Sequence, residues 1–165
     1  MLELEYVTDY VKARAKFYEL YEILKKEYNC KIRAYHVTEN FYIDHIEIVP
    51  VHKENLICIT TGLHGIEGYV GNYLLQRFVQ HHIGATNISN TGIILVHSIH
   101  PFGMANKRKV NENNVDLNRN FVDFSKSIEP NDSYIKNKKY YLPSKLPADK
   151  RLADAQFVIK TLMLF

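Results

Sequence analysis

The sequence predicts an α/β fold with a mainly parallel central sheet and flanking helices, built as one domain over residues 1–165. Three observations lead there. "LICIT" (56–60) and "GIILVHS" (92–98) are uninterrupted apolar runs of the kind found in strands buried on both faces. The text between them, "IEGYVGNYLLQRFVQHH", is helix-compatible, so strand, helix and strand spell a βαβ unit. Ahead of it lie an amphipathic segment and a pair of short β-rich runs.

The elements follow in chain order. In "TDYVKARAKFYELYEILKKEY", Val11, Ala15, Tyr18, Tyr21, Leu24 and Tyr28 recur at three-and-four spacing behind a cap at Thr8 or Asp9, which predicts a first helix. After Asn29 come "KIRAYHV" and "FYIDHIEIVP", where Phe41 with Ile43 and Ile46 with Ile48 show two-residue spacing on either side of Asp44, as in an antiparallel pair. "LICIT" and "GIILVHS" follow as adjacent parallel strands, with Cys58 inside the first and the connecting helix opened by Glu67.

Composition excludes several classes of function. A chain of 165 residues with 46% hydrophobic content suits one core, and a formal net charge of +3 is too small to require nucleic acid or a membrane surface. The cluster Lys136, Lys138, Lys139, Tyr140 and Tyr141 reads as solvated surface. Cys30 and Cys58 lack both metal-knuckle spacing and disulfide-scaffold density, so reduced thiols are expected. The start "MLELEYVTDY" carries acids where a signal peptide would carry bases, and no apolar run approaches the ~18 residues of a membrane span. A cytoplasmic protein with no membrane and no nucleic-acid partner is the expectation; the oligomeric state is left open.

The chemistry concentrates where the two parallel strands end. Loops leaving parallel strands emerge at one sheet edge, where open α/β folds place ligands. "TTGLHGIEGYVGNYL" (60–74) sets His64 and Glu67 three residues apart at a helix start, so an imidazole and a carboxylate share one face and can converge on a cation. His-x-x-Glu is a weak pattern alone, since "HVTE" (36–39) matches it too, and a helix-start glutamate beside a turn histidine is equally sound physically. Context favours the site, because Gly62 and Gly65 permit a tight turn at the ligand edge. The loop after the second strand, "HPFGMANKRKVNENNVDLNRNF" (100–121), should face it and brings Arg108, Asn118 and Arg119. Guanidinium groups hold carboxylates through paired planar hydrogen bonds, and an amide completes such a clamp; for each residue singly, a surface position in a polar loop is the competing reading.

The order "HGIEG", "HPFG", "NKRK" and "NNVDLNRNF" resembles the zinc metallocarboxypeptidases and their deacylase relatives, including succinylglutamate desuccinylases, and looks closest to a little-characterised carboxypeptidase-like branch. The resemblance is clear over about residues 56 to 134 and weak over the first helix. It implies a zinc-carboxypeptidase-like fold, with His64 and Glu67 as Zn²⁺ ligands, Arg108 polarising the scissile carbonyl and stabilising its oxyanion, and Asn118 and Arg119 binding a carboxylate of a peptide or small-molecule substrate. The implied reaction is zinc-assisted hydrolysis of an amide.

One departure from the pattern matters. The family's third zinc ligand is a histidine on a later strand and its base a glutamate further on, yet all eight histidines here (36, 45, 52, 64, 81, 82, 97 and 100) precede Asn118. His97 and His100 are the substitutes to consider, while Glu112 and Asp116 have no motif that recommends them. A catalytic zinc normally takes three protein ligands and a water, so two imply weak occupancy. The final segment "RLADAQFVIKTLMLF" starts as an amphipathic helix and runs into an apolar tail, and family members are about twice as long, so the expectation is the amino-terminal portion of a catalytic domain. Two readings stand: a zinc hydrolase, either carboxypeptidase or deacylase of N-acyl amino acids, and a non-catalytic carboxylate-binding module.

Overall fold

The computed structural model describes residues 3–123, 125–127, 129–141, 155, 158–159 and 161–163. The chain divides into two compact units, Met1–Phe121 and Val122–Phe165. The first unit opens with α1 (Tyr10–Leu24), capped as expected by Asp9, whose side chain accepts from the Lys12 N–H at 2.9 Å. Its buried face is Tyr10, Ala13, Phe17, Leu20 and Leu24, whereas Val11 is 71% exposed. The stripe predicted through Val11, Ala15 and Tyr18 therefore lies off the buried face. Both stripes satisfy three-and-four spacing; Phe17 and Leu20, fully buried, mark the docked face, while Tyr18 stands at its margin with its hydroxyl on Asp44.

β1 (Cys30–Thr38) and β2 (Phe41–Ile48) pair antiparallel, turning through Glu39 at φ 47°. β3 (Asn55–Thr60) and β4 (Thr91–His97) pair parallel, with Leu56 opposite Gly92 and Thr60 opposite Val96, and α2 (Glu67–His81) joins them as predicted. The sheet order is β1-β2-β4-β3, with β2 antiparallel to β4. The fold is thus α/β with helices flanking a four-stranded sheet, but only one of the three described pairings is parallel, which corrects the mainly parallel expectation. The cause is non-local: β4 inserts beside β2, so β2 carries an antiparallel ladder on each side.

That order also corrects the reading of "LICIT". β3 has β4 as its one neighbour among the described residues, Leu56 is 64% exposed, and Cys58 is exposed rather than buried. The core forms where α1 and α2 cover β2 and β4, through Phe17, Leu20, Ile46, Ile48, Leu75 and Leu95. Polar ties fix α2 against its neighbours: Asn72 donates to the Ala13 carbonyl at 2.8 Å, and Gln76 exchanges bonds of 2.9 Å with the Glu5 backbone. In the second unit, α4 (Asp132–Tyr141) carries the Lys136–Lys139 and tyrosine cluster. Leu162 and Met163 are exposed, and Leu164 and Phe165 lie outside the described residues.

Candidate functional site at the carboxyl end of the parallel strands

Two loops leave β3 and β4 and are stitched together by backbone bonds. Thr61 N–H donates to Val96 O (3.1 Å), Ile99 N–H to Thr61 O (2.9 Å), and His100 N–H to Gly62 O (2.8 Å). Gly62 sits at φ +68°, a region that disfavours side chains, and a Cβ there would press on Ser98. Gly65 touches α3 (Pro101–Ala105) so closely that a Cβ would overlap the Gly103 carbonyl; its N–H donates to the Arg108 carbonyl at 3.1 Å. The glycines read in the sequence as turn formers therefore also permit this close approach, which fixes where His64 emerges.

His64 and Glu67 converge: Nδ1 of His64 lies 3.6 Å from Glu67 Oε1. The other ring nitrogen, Nε2, is 3.2 Å from Asp116 Oδ1. Asp116 is held in turn by Lys109, whose Nζ lies 3.0 Å from Oδ2, while its Oδ1 accepts the Asn118 N–H at 2.9 Å and caps the short 3₁₀ turn Leu117–Arg119. Lys109 above all, then the bonds from His64 and Asn118, push the Asp116 carboxyl down to about 2. An ionised carboxylate only accepts, so the proton in the His64–Asp116 contact belongs to Nε2. His64 Nδ1 thus faces the Glu67 carboxylate, a contact that a proton on Nδ1 or a shared cation satisfies. An outer carboxylate on the far nitrogen is how metal-binding imidazoles are oriented.

Asp116 is the residue that sequence reasoning missed. The available signal was a helix-capping aspartate two residues before Asn118; its partner lies 52 residues away and only the fold joins them.

The other expected residues are placed less tightly. Arg108 is exposed, with its guanidinium 5.9 Å from the Phe102 ring centroid. Asn118 and Arg119 are exposed beside Asp116, and Arg119 Nη1 donates to the Asn118 carbonyl at 3.2 Å. The cavity beside the histidine, about 660 Å³, is lined by His64, Glu67, Leu63, Val70, Leu74 and other apolar groups. Arg108, Asn118 and Arg119 are not among its lining residues, against the expectation of one shared cleft, because their loop borders His64 from the Asp116 side.

The substitute histidines differ. His97 is fully buried, its ring centroid 6.4 Å from that of Tyr10 and 5.4 Å from that of Phe17, so it belongs to the α1 interface. His100 is 4% exposed, and the Leu63 backbone is the polar group its ring meets. Burial lowers its pKa, with Glu112 opposing and Arg108 and His64 adding to the effect. Among the described residues no three histidine, cysteine, aspartate or glutamate side chains form a group able to hold a metal. His64 and Glu67 thus fit a cation as a pair with an oriented histidine, short of the three protein ligands of a catalytic zinc site.

The fold and site define an α/β protein with a histidine–carboxylate cluster at the carboxyl end of a parallel strand pair. A family model matches residues 6–163, and the chain belongs to that family, DUF2817, described as a protein of unknown function. No curated protein matches the chain.

Proposed function

We propose that this chain carries part of the active site of a zinc-dependent amide hydrolase of the metallocarboxypeptidase type, acting on substrates that bear a carboxylate. The observation that supports the reading best is the orientation of His64, with Nε2 engaged by Asp116 and Nδ1 facing Glu67. In this reading His64 and Glu67 hold the metal, which when bound supplies Lewis acidity and lowers the pKa of a water. Arg108 meets the charge that develops on the carbonyl oxygen, and Asn118 with Arg119 grips the carboxylate of a peptide or an N-acyl amino acid. Cytoplasmic residence is part of the same proposal; among the described residues no helix is long and apolar enough to cross a membrane.

A second reading, a carboxylate-binding module without turnover, is favoured for this 165-residue sequence by the absence of any histidine after His100. Zinc titration tests the first proposal, with acetylated dipeptides as probes of the carboxylate clamp. Zinc should bind weakly in wild type and not at the same site in His64→Ala, and Arg119→Ala should weaken the peptide alone. Zinc binding indifferent to His64→Ala would remove the metal assignment. No hydrolysis is expected from this chain even with added zinc; turnover abolished by a chelator and restored by zinc would reject the second reading and direct mutagenesis to His100.

A further inference from the structure

His100 takes no part in the proposed chemistry, yet it is buried at the start of the second loop. Burying an imidazole costs its hydration unless the protein meets its polar atoms. The ring sits between the two loops. Its Nδ1 and Cε1 lie so near Gly103 of α3 that a Cβ on that glycine would overlap them, and the Leu63 backbone is the polar group it meets. The main-chain N–H of the same residue donates to the Gly62 carbonyl at 2.8 Å. One residue of the loop after β4 therefore engages the loop after β3 twice, at the two positions directly before His64.

The position directly after His64 is tied to the same support. A Cβ on Gly65 would overlap the carbonyl of Gly103, the glycine on which the His100 ring rests. His64 is thus bracketed, with Leu63 against His100 on one side and Gly65 against Gly103 on the other. A carbonyl only accepts, so a bond between His100 and Leu63 needs a proton on the ring nitrogen that faces it. Burial holds the imidazole in its neutral form, which has a single N–H to give. A metal ligand would instead turn a lone pair to the cation, and among the described residues His100 joins no group of three side chains able to hold one.

We infer that His100 is a positioning residue for His64: its ring, seated on Gly103, donates to the Leu63 carbonyl and fixes the turn from which His64 reaches Asp116 with Nε2 and Glu67 with Nδ1. Asp116 then orients the imidazole from its far nitrogen, and His100 sets the backbone that carries it.

Long-range proton–nitrogen NMR spectra of the intact chain at about pH 8, above the ordinary imidazole range, read both rings. In wild type His100 should show one tautomer with a slowly exchanging N–H, and His64 should carry its proton on Nε2. His100→Phe keeps a ring on Gly103 and removes the donor; it should leave the circular dichroism unchanged and spread His64 over both tautomers. His100→Asn and His100→Gln place an amide N–H near the positions of Nδ1 and Nε2, and one of them should restore the single His64 tautomer. Zinc competition with a chromophoric chelator gives a second reading, which rests on the metal assignment proposed for His64 and Glu67: His100→Phe should weaken binding by about tenfold or more, with recovery in the same amide variant. A wild type that binds no zinc, while the His64 tautomer still follows His100, supports the positioning role and removes the metal assignment. A His100 N–H that exchanges freely in wild type overturns the proposal, and that reading decides even where His100→Phe fails to fold. A His64 tautomer unchanged in a folded His100→Phe also overturns it, and zinc binding lost there with that tautomer intact would make His100 a ligand instead.

Discussion

Asp116 serves two partners with one carboxylate, taking His64 on Oδ1 and Lys109 on Oδ2. The lysine lowers its pKa further, and the ionised carboxylate places the proton on His64 Nε2, so the orientation of the His64–Glu67 pair is set from outside the pair. Outer carboxylates of this kind typically matter by 10- to 100-fold in metal affinity. Asp116→Ala should therefore weaken zinc binding by about that range, and Asp116→Asn, which can still accept the Nε2 proton, should weaken it less. Competition with a chromophoric chelator measures both, and equal affinity in all three proteins would disconnect Asp116 from the site. His64 and Glu67 were legible because a spacing of three on a helix start is a local property. The partnership with Asp116 was not, because an aspartate in a polar loop looks like a turn residue until the fold brings the loop beside His64.

At the scale of elements, α1 is held on the sheet by more than its apolar face. Arg14 grips Asp44 of β2 with Nε to Oδ2 at 2.7 Å and Nη2 to Oδ1 at 2.9 Å, and the Tyr18 hydroxyl donates to Oδ1 at 3.1 Å. The guanidinium also stands 4.2 Å from the Tyr42 ring centroid. Asp44 is fully buried, so losing Arg14 would strand a charge in the interior. Arg14→Met should cost about 3 kcal/mol, the low end of the ~3–5 kcal/mol typical of a broken buried pair because Tyr18 remains as a donor. Arg14→Met/Asp44→Leu should cost less than Arg14→Met alone, since no charge is then left unpaired. Urea denaturation compares them, and a double variant no better than the single would refute the buried-charge account. The two-residue spacing around Asp44 announced the strand, and the βαβ unit was legible from its long apolar runs. The sheet order was not, since nothing local tells β4 to insert beside β2, and so the exposure of β3 was hidden as well.

For the whole molecule, acid acts on this core through a buried imidazole. His97 closes β4 beneath α1, fully buried between Tyr10 and Phe17, and neither ring nitrogen has a hydrogen-bond partner among the described residues. Burial pushes its pKa down from 6.5 to about 4, with Asp44 opposing and Arg14 adding to the fall. In the unfolded chain the same imidazole titrates near its ordinary value of about 6.5. Between those two values the unfolded chain holds a proton that the native protein does not, so stability rises with pH across that window. Conversely, as pH falls from about 6.5 to about 4 the protein should lose up to ~3 kcal/mol through this one residue, and below that both states are protonated and the contribution stops changing. His97→Phe keeps a flat ring between Tyr10 and Phe17 and removes the titration. Thermal unfolding followed across that pH range should show a steeper fall for the wild type than for His97→Phe; parallel curves would mean that His97 finds a proton partner in the native state and that the buried neutral imidazole is not what limits stability in acid.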